Sequence, residues 1–243
     1  NGVPGLWDIA GLSALNIGRI LRDHSVVEFL WFGTDGIGHY WGIDGQKAGL
    51  VRFDAYLRPV VDYLRAHPGS INLVLYADHG MSMIDEYVET EQVMSDVAGD
   101  NALLVSYPNI YLSEPRLARS IAYTLGNSHD IDWAFFREGE GRIVGYWAKG
   151  TMTLDYDDGG IAYSWQGVDA FEYGGIGYEG QRLSDEEWLR LTAGLKYPVA
   201  PVQVVRYMEN EFSGDVVVVV NAPKGVRGSG FIARHRGVID VDC

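Results

Sequence analysis

The chain has few cysteines, few basic residues and no long apolar runs. Its single cysteine is Cys243, the last of 243 residues, so no intrachain disulfide can form. No apolar run approaches the roughly 20 residues that span a bilayer, so we expect no membrane span. Asn1 opens no segment with a charged n-region, an apolar h-region and a cleavage site, so no signal peptide is visible.

Basic residues are outnumbered by acidic ones. Lys and Arg number 19 against 33 Asp and Glu, which gives a formal net charge of −14 at pH 7. Nucleic-acid polymers are bound through a basic face that releases counterions, so this charge argues against a polymeric nucleic-acid partner. It does not exclude a small phosphate ester, because two divalent ions would be the largest local charges and would reverse the field at a site.

Two apolar runs are each followed by one aspartate and one histidine. In chain order they are Val26–Thr34 with Asp35 and His39, and Ile71–Tyr76 with Asp78 and His79. Short runs of β-branched, aromatic and Leu residues predict strands buried on both faces, as in a parallel sheet. Ligands of open α/β sheets bind outside the carboxyl ends of the strands, where these polar pairs would lie. A strand-end turn capped by Asp is the alternative for such a pair.

The two polar pairs have the chemistry of a metal site. Aspartate and neutral histidine suit Zn²⁺ or Mn²⁺, and nearby glycines let the backbone approach an ion closely. A third candidate, His235, follows a run of five valines and the glycine-rich stretch 222–230.

The residues in these motifs resemble a known family. TDGIGHYWG with Asp35 and His39, YADHGM with Asp78 and His79, and ARHRG with His235 resemble the metal-ligand series of the alkaline phosphatase superfamily, closest to its type I phosphodiesterase/nucleotide pyrophosphatase branch. The resemblance covers the chain from Ser25 to Arg236. It implies that Asp35, His39 and His235 hold one ion, whereas Asp78 and His79 belong to a second. Zinc is the expected metal and manganese the alternative.

The resemblance also implies a fold and an activity. The fold would be α/β, an alkaline-phosphatase-like, largely parallel sheet flanked by helices. The activity would be two-metal hydrolysis of a small-molecule phosphate ester, outside the cytoplasm, through a Thr or Ser nucleophile that forms a covalent phospho-enzyme. A related metal-dependent mutase or sulfatase is an alternative, as is a non-catalytic fragment that acts as a binding module.

One element of the family pattern is not found in the sequence. The family has an earlier strand that ends on an Asp ligand and is followed closely by the nucleophile. We expect this element upstream of Asn1, so that residues 1–243 form a single partial catalytic domain that lacks the N-terminal part of the fold and is inactive alone. No catalytic residue is assigned, because Thr34 precedes Asp35 and is not at the nucleophile position.

Local patterns predict the remaining elements. Apolar spacing predicts a helix over Gln46–His67, kinked or divided at Pro59 and ended by His67. Turn signals predict a hairpin-rich insertion over residues 127–183, within the same domain. Its aromatic residues could stack on a nucleobase, but rings at alternating strand positions are more often core. Ser184 and Glu187 form a capping-box signature that opens a helix.

Overall fold

The structure, a computed structural model, describes residues 17–69, 71–77, 79–178, 180–226 and 238–241. These residues form two compact units. The first unit contains residues 17–85 together with 238–241, and the second contains residues 86–226. The second unit is therefore one continuous stretch of sequence, flanked on both sides by segments of the first.

The first unit contains two helices and two short strands among its described residues. They are α1 (Ile17–Asp23), α2 (Gly33–Ala66), β1 (Gly80–Met83) and β12 (Val238–Val241). β1 and β12 pair antiparallel, with Gly80 opposite Val241 and Met83 opposite Val238. Helix α2 packs against both strands.

The second unit contains most of the strands. Its elements are β2 (Glu86–Val88), α3 (Thr90–Ala98), β3 (Ala102–Ser106), β4 (Asn109–Leu112), α4 (Ala118–Gly126), β5 (Trp133–Gly139), β6 (Arg142–Trp147), β7 (Gly150–Asp157), β8 (Gly160–Gly167), β9 (Arg182–Leu183), α5 (Asp185–Thr192), α6 (Ala200–Glu209), β10 (Val216–Val219) and β11 (Lys224–Val226). Short 3₁₀ turns at Gly99–Asn101 and Pro115–Leu117 precede β3 and α4.

An eight-stranded sheet forms the centre of the second unit. Its order is β3-β4-β10-β5-β6-β7-β8-β9, and every neighbouring pair is antiparallel. A separate parallel pair joins β2 to β11. The class is therefore mixed α/β, as predicted, but the expectation of a largely parallel sheet is wrong for this sheet. Strands β5 to β8 follow one another through tight hairpins, which produce antiparallel neighbours.

Apolar side chains cover this sheet on both faces. Along β5, Trp133 and Phe135 belong to one buried cluster, whereas Ala134 and Phe136 belong to another. Helices α5 and α6 contribute to the first cluster, and α3 and α4 to the second. This alternation follows from the two-residue period of a strand. The aromatic residues of the hairpin region are mainly core, as predicted: Tyr163, Phe171, Tyr173 and Tyr178 are almost completely buried.

Several local predictions are confirmed. Ser184 Oγ accepts a hydrogen bond from the Glu187 backbone N–H, and the Glu187 carboxylate accepts one from the Ser184 N–H, which completes the capping box of α5. Strands β5 to β8 occupy the predicted hairpin region. Helix α2 covers the predicted helix and ends at His67. No helix in the described ranges is long and apolar enough to cross a membrane.

The two strands predicted to carry the site are not formed. Residues 25–32 and 71–77 have no regular secondary structure, and their apolar side chains are exposed, with Val26 at 84% and Val74 at 77%. A strand needs neighbours that satisfy its backbone groups, and within the described ranges no strand pairs with either segment. The prediction of a buried parallel pair is therefore wrong, and the residues from Gly33 onward continue as helix.

Helix α2 reverses direction at Gly42. Gly42 has φ 71° and ψ −163°, a conformation that a residue with a side chain rarely adopts. A straight helix would separate Thr34 from Gly49 by about 22 Å. Instead, a side-chain carbon placed on Gly49 would lie 3.3 Å from Thr34 Cα. The kink was predicted at Pro59, but the non-helical residue is Gly42, because glycine alone tolerates this reversal.

Candidate metal site

Asp35 and His39 lie one helical turn apart in the part of α2 before Gly42. The four-residue spacing places their side chains on the same face of the helix. His39 Nε2 lies 3.2 Å from Asp35 Oδ1, and both side chains are partly exposed. Two of the five predicted ligands are therefore adjacent, although a helix rather than a strand end positions them.

The contact between these two side chains fits a shared cation. Asp35 Oδ1 is buried and accepts no hydrogen bond from any described residue. It therefore lies beside His39 Nε2 without the alignment that a hydrogen bond requires. Two ligand atoms on one tetrahedral zinc ion, each about 2.1 Å from the metal, lie about 3.4 Å apart. The observed separation is close to that value, so the pair can supply one nitrogen and one oxygen ligand.

His79 directly precedes strand β1 instead of following a strand. Its Nδ1 lies 3.1 Å from the carbonyl oxygen of Gly80, and its side chain is half-buried. Two residues further on, Met81 packs on Gly38, where an added side-chain carbon would overlap Met81 Sδ. Gly38 is the neighbour of His39, so β1 packs beside the helical turn that carries the first pair.

The remaining two predicted ligands, Asp78 and His235, lie outside the described residues. Their neighbours can still be placed: β1 begins two residues after Asp78, and β12 begins three residues after His235. These two strands pair with each other and pack on α2. Within the described ranges, no three His, Cys, Asp or Glu side chains converge as a metal site.

Thr34 lies in the first turn of α2, immediately before Asp35. Its side-chain methyl group faces Gly49, where an added side-chain carbon would lie 3.5 Å from Thr34 Cγ2. Thr34 is thus a packing residue of the reversed helix.

The second unit contains a cleft that the sequence did not indicate. Its volume is about 1170 Å³, and it lies beside the turns that follow β5 and β7. Six acidic side chains and two arginines line it. Arg206 already pairs with Asp185 at 3.0 Å and with Glu209 at 3.2 Å. Such a lining repels an anionic phosphate ester, so this cleft does not compete with Asp35 and His39 as the substrate site.

Comparison with known proteins identifies one family. The family model of type I phosphodiesterase/nucleotide pyrophosphatase matches residues 14–137, just over half of the chain. The matched region includes the positions of Asp35, His39, Asp78 and His79. Neither the curated proteins nor the solved structures give a match. Members of the matched family act on phosphate esters, which makes a small-molecule ester the class of substrate implied for this chain. The chain belongs to the type I phosphodiesterase/nucleotide pyrophosphatase family, within the alkaline phosphatase superfamily.

Proposed function

We propose that the protein is a metal-dependent phosphodiesterase or nucleotide pyrophosphatase whose site is built on Asp35 and His39. The observation that carries the proposal is the contact at 3.2 Å between Asp35 Oδ1 and His39 Nε2, in which the buried oxygen accepts no hydrogen bond from a described residue. A buried carboxylate oxygen without a hydrogen bond, next to an imidazole nitrogen, suits a divalent cation, and zinc accepts both ligand types.

In this proposal His235 completes the first metal site, and Asp78 and His79 contribute to a second. Strands β1 and β12 both pack on α2, and their antiparallel register places the starts of the two strands, Gly80 and Val238, at opposite ends of the pair. The pairing therefore supports the closeness of each strand to the helix, and not a contact between Asp78 and His235. Two bound ions would polarise the phosphoryl oxygens and stabilise the charge on the leaving oxygen.

The chain's own residues would do three things at this site. Asp35 places a negative charge next to the imidazole of His39, which favours the binding of a cation between the two side chains. The packing of Met81 on Gly38 holds β1 against the helical turn. The acidic surface of the chain, at −14 overall, repels anionic esters elsewhere, so that substrate would bind where cations offset the charge.

A metal titration with matched variants tests the proposal. After treatment with a chelator, the chain should take up zinc, and His39→Gln and Asp35→Asn should each remove at least one bound equivalent. His67→Gln is the matched control, because His67 is exposed at the end of the same helix and stacks on Tyr63. Equal zinc content in all four proteins would leave Asp35 and His39 as a helix-surface ion pair and refute the proposal.

Activity is measured in parallel on the same proteins. Hydrolysis of bis-p-nitrophenyl phosphate and of p-nitrophenyl phosphate in excess zinc separates diesterase from monoesterase activity. Whatever rate the chain shows should require zinc and should fall in His39→Gln and Asp35→Asn, but not in His67→Gln. A rate unaffected by chelation would contradict the metal requirement.

A further inference from the structure

Two glycines of the second part of α2 face the turn that carries Asp35 and His39. Past the reversal at Gly42, the helix runs back along its own first part, so that Gly45 lies against Ile37 and Gly49 lies against Thr34. The face formed by Thr34, Ile37, Gly38 and Trp41 follows the i, i+3, i+4, i+7 spacing of one helical face. Asp35 and His39 occupy the adjacent face, so their position depends on how closely the two parts pack.

Gly45 has no room for a side chain. A carbon added there would lie 2.6 Å from Trp41 Cβ and 2.8 Å from the carbonyl oxygen of Ile37. The second of these is a backbone atom that cannot rotate away. Any larger residue at position 45 therefore pushes the two helical parts of α2 apart.

The contact at Gly49 is less severe and lies nearer to the candidate ligands. An added carbon would lie 3.3 Å from Cα of Thr34, the residue that precedes Asp35. Such a contact is relieved by a shift of a few tenths of an ångström, which would move the first turn of the helix. The two glycines thus provide a graded way to displace Asp35 and His39 without altering either side chain.

We infer that Gly45 and Gly49 are positioning residues, which hold the first part of α2, and with it Asp35 and His39, in place by allowing the two parts of α2 to pack backbone to backbone. The inference rests on the proposed function for its consequence, because a displaced first part of α2 would move two of the proposed ligands relative to the others. Metal affinity falls when groups that orient the ligands are altered, typically by about 10-fold to 100-fold.

The test compares three variants of the full chain. Gly45→Ala and Gly49→Ala both raise helix propensity, so a weaker site in them cannot come from a weaker helix. Ala48→Gly is the matched control, because Ala48 is exposed on the same helical part and the change lowers propensity without touching the packed face. Zinc affinity is measured by competition with a chromophoric chelator, and folding by far-UV circular dichroism.

A second readout does not depend on metal. With ¹⁵N-labelled histidine, the ring signals of the six histidines can be followed by NMR, and His39→Gln identifies those of His39. We expect Gly45→Ala to weaken zinc binding by about tenfold or more, Gly49→Ala to weaken it less, and both to shift the His39 ring signals in the absence of zinc. Ala48→Gly should match the wild type in both measurements.

The possible outcomes test the positioning role of Gly45 and Gly49 separately from the proposed metal-dependent function. Wild-type zinc affinity and unchanged His39 signals in both glycine variants would overturn the positioning role, and so would an equal loss in Ala48→Gly. If Gly45→Ala does not fold, the milder Gly49→Ala decides. If the wild type binds no zinc but the His39 signals still shift in Gly49→Ala, the positioning role stands and the proposed function falls.

Discussion

Two apolar runs of similar composition behave differently in the two units. Val216–Val219 forms a strand paired on both sides, with β4 and β5, and Val216 and Val218 are completely buried. Val26–Phe32 forms no strand, and Val26 and Leu30 are 84% and 57% exposed. Hydrophobicity and β-propensity are alike in the two runs. The difference shows that a strand depends on the neighbours that complete its hydrogen bonds.

The two units also differ in what holds them together. In the second unit, two apolar clusters on opposite faces of one sheet account for the packing. In the first unit, the close contacts within α2 involve glycines, and many large apolar side chains remain exposed. We therefore expect core substitutions to have large effects in the second unit and small effects in the exposed segments of the first.

The largest change in the free energy of unfolding is expected when a buried phenylalanine is compared with an exposed one. Phe171 is completely buried against Trp133, Tyr163 and Tyr173, whereas Phe32 is 57% exposed. Phe171→Ala should cost the second unit about 3–5 kcal/mol through lost burial and a residual cavity. Phe32→Ala should change the free energy of unfolding by no more than about 0.5 kcal/mol.

Hydrogen exchange read by mass spectrometry measures these changes in each unit separately. Faster exchange in Phe171→Ala should be confined to peptides of residues 86–226. A large loss in Phe32→Ala would mean that residues 25–32 are packed in solution, and the contrast between the two apolar runs would then fail.

The next effect compares two tyrosines that each donate a hydrogen bond to a carboxylate. Tyr163 is buried and donates to Asp169 at 2.7 Å, whereas Tyr76 is exposed and donates to Glu28 at 2.6 Å. Tyr163→Phe should cost about 1.5–3 kcal/mol, as expected for a buried hydrogen bond to a charged group. Tyr76→Phe should cost less than about 1 kcal/mol, because water competes for the exposed bond.

The stability that Tyr163 contributes is also expected to depend on pH in the alkaline range. Burial, followed by the hydrogen bond to Asp169, raises the pKa of Tyr163 above its ordinary value. A raised folded-state pKa gives stability that is complete below the pKa of an unfolded tyrosine, about 10, and is lost as the pH rises above it. The stability difference between wild type and Tyr163→Phe should therefore narrow above pH 10 in urea titrations. A constant difference up to pH 11 would contradict this expectation.

The smallest change in the free energy of unfolding is expected at the N-terminal ends of two helices. Ser184 caps α5 through the capping box, whereas Phe32 at the start of α2 makes no side-chain capping bond. Ser184→Ala should lower the free energy of unfolding by about 1 kcal/mol. The two hydrogen bonds from Ser184 lower the pKa of Glu187, so the contribution of that carboxylate is present above its ordinary pKa and lost as the pH falls through the lowered value.

Urea denaturation at pH 7 and pH 3.5 measures both parts of this prediction. Wild type and Ser184→Ala should differ less at the lower pH. Phe32→Ala is the control here as well, since replacing a residue without a capping bond should give no such pH dependence.

The sequence predicted the second unit well where local signals decide the structure. The capping box at Ser184 and the turns between β5 and β8 both depend on residues close together in the chain. The sheet order could not be predicted in this way. In this order β10 lies between β4 and β5. The pairing of β10 with β5 joins residues about 80 positions apart in the chain.

The proximity of Asp35 and His39 was predicted, but the backbone geometry that produces it was not. The two residues were predicted to share one metal ion, and their side chains do lie together. Their spacing of four residues was taken as part of a strand-end loop, although it is also the spacing of one helical turn. The reversal at Gly42 could not be predicted either, because a glycine in a sequence shows only that an unusual backbone conformation is allowed there.

The parallel pair of β2 with β11 has a consequence for how this protein could have been assembled. Glu86, where the second unit starts, lies opposite Lys224, so Val226, the last residue of this unit that the structure describes, lies about 8 Å from Glu86. A stretch whose ends meet can be inserted into, or removed from, a host polypeptide without stretching it. The stretch from Glu86 to Val226 thus leaves and returns at nearly the same place, which is the geometry of a segment that could be gained, lost or exchanged during evolution.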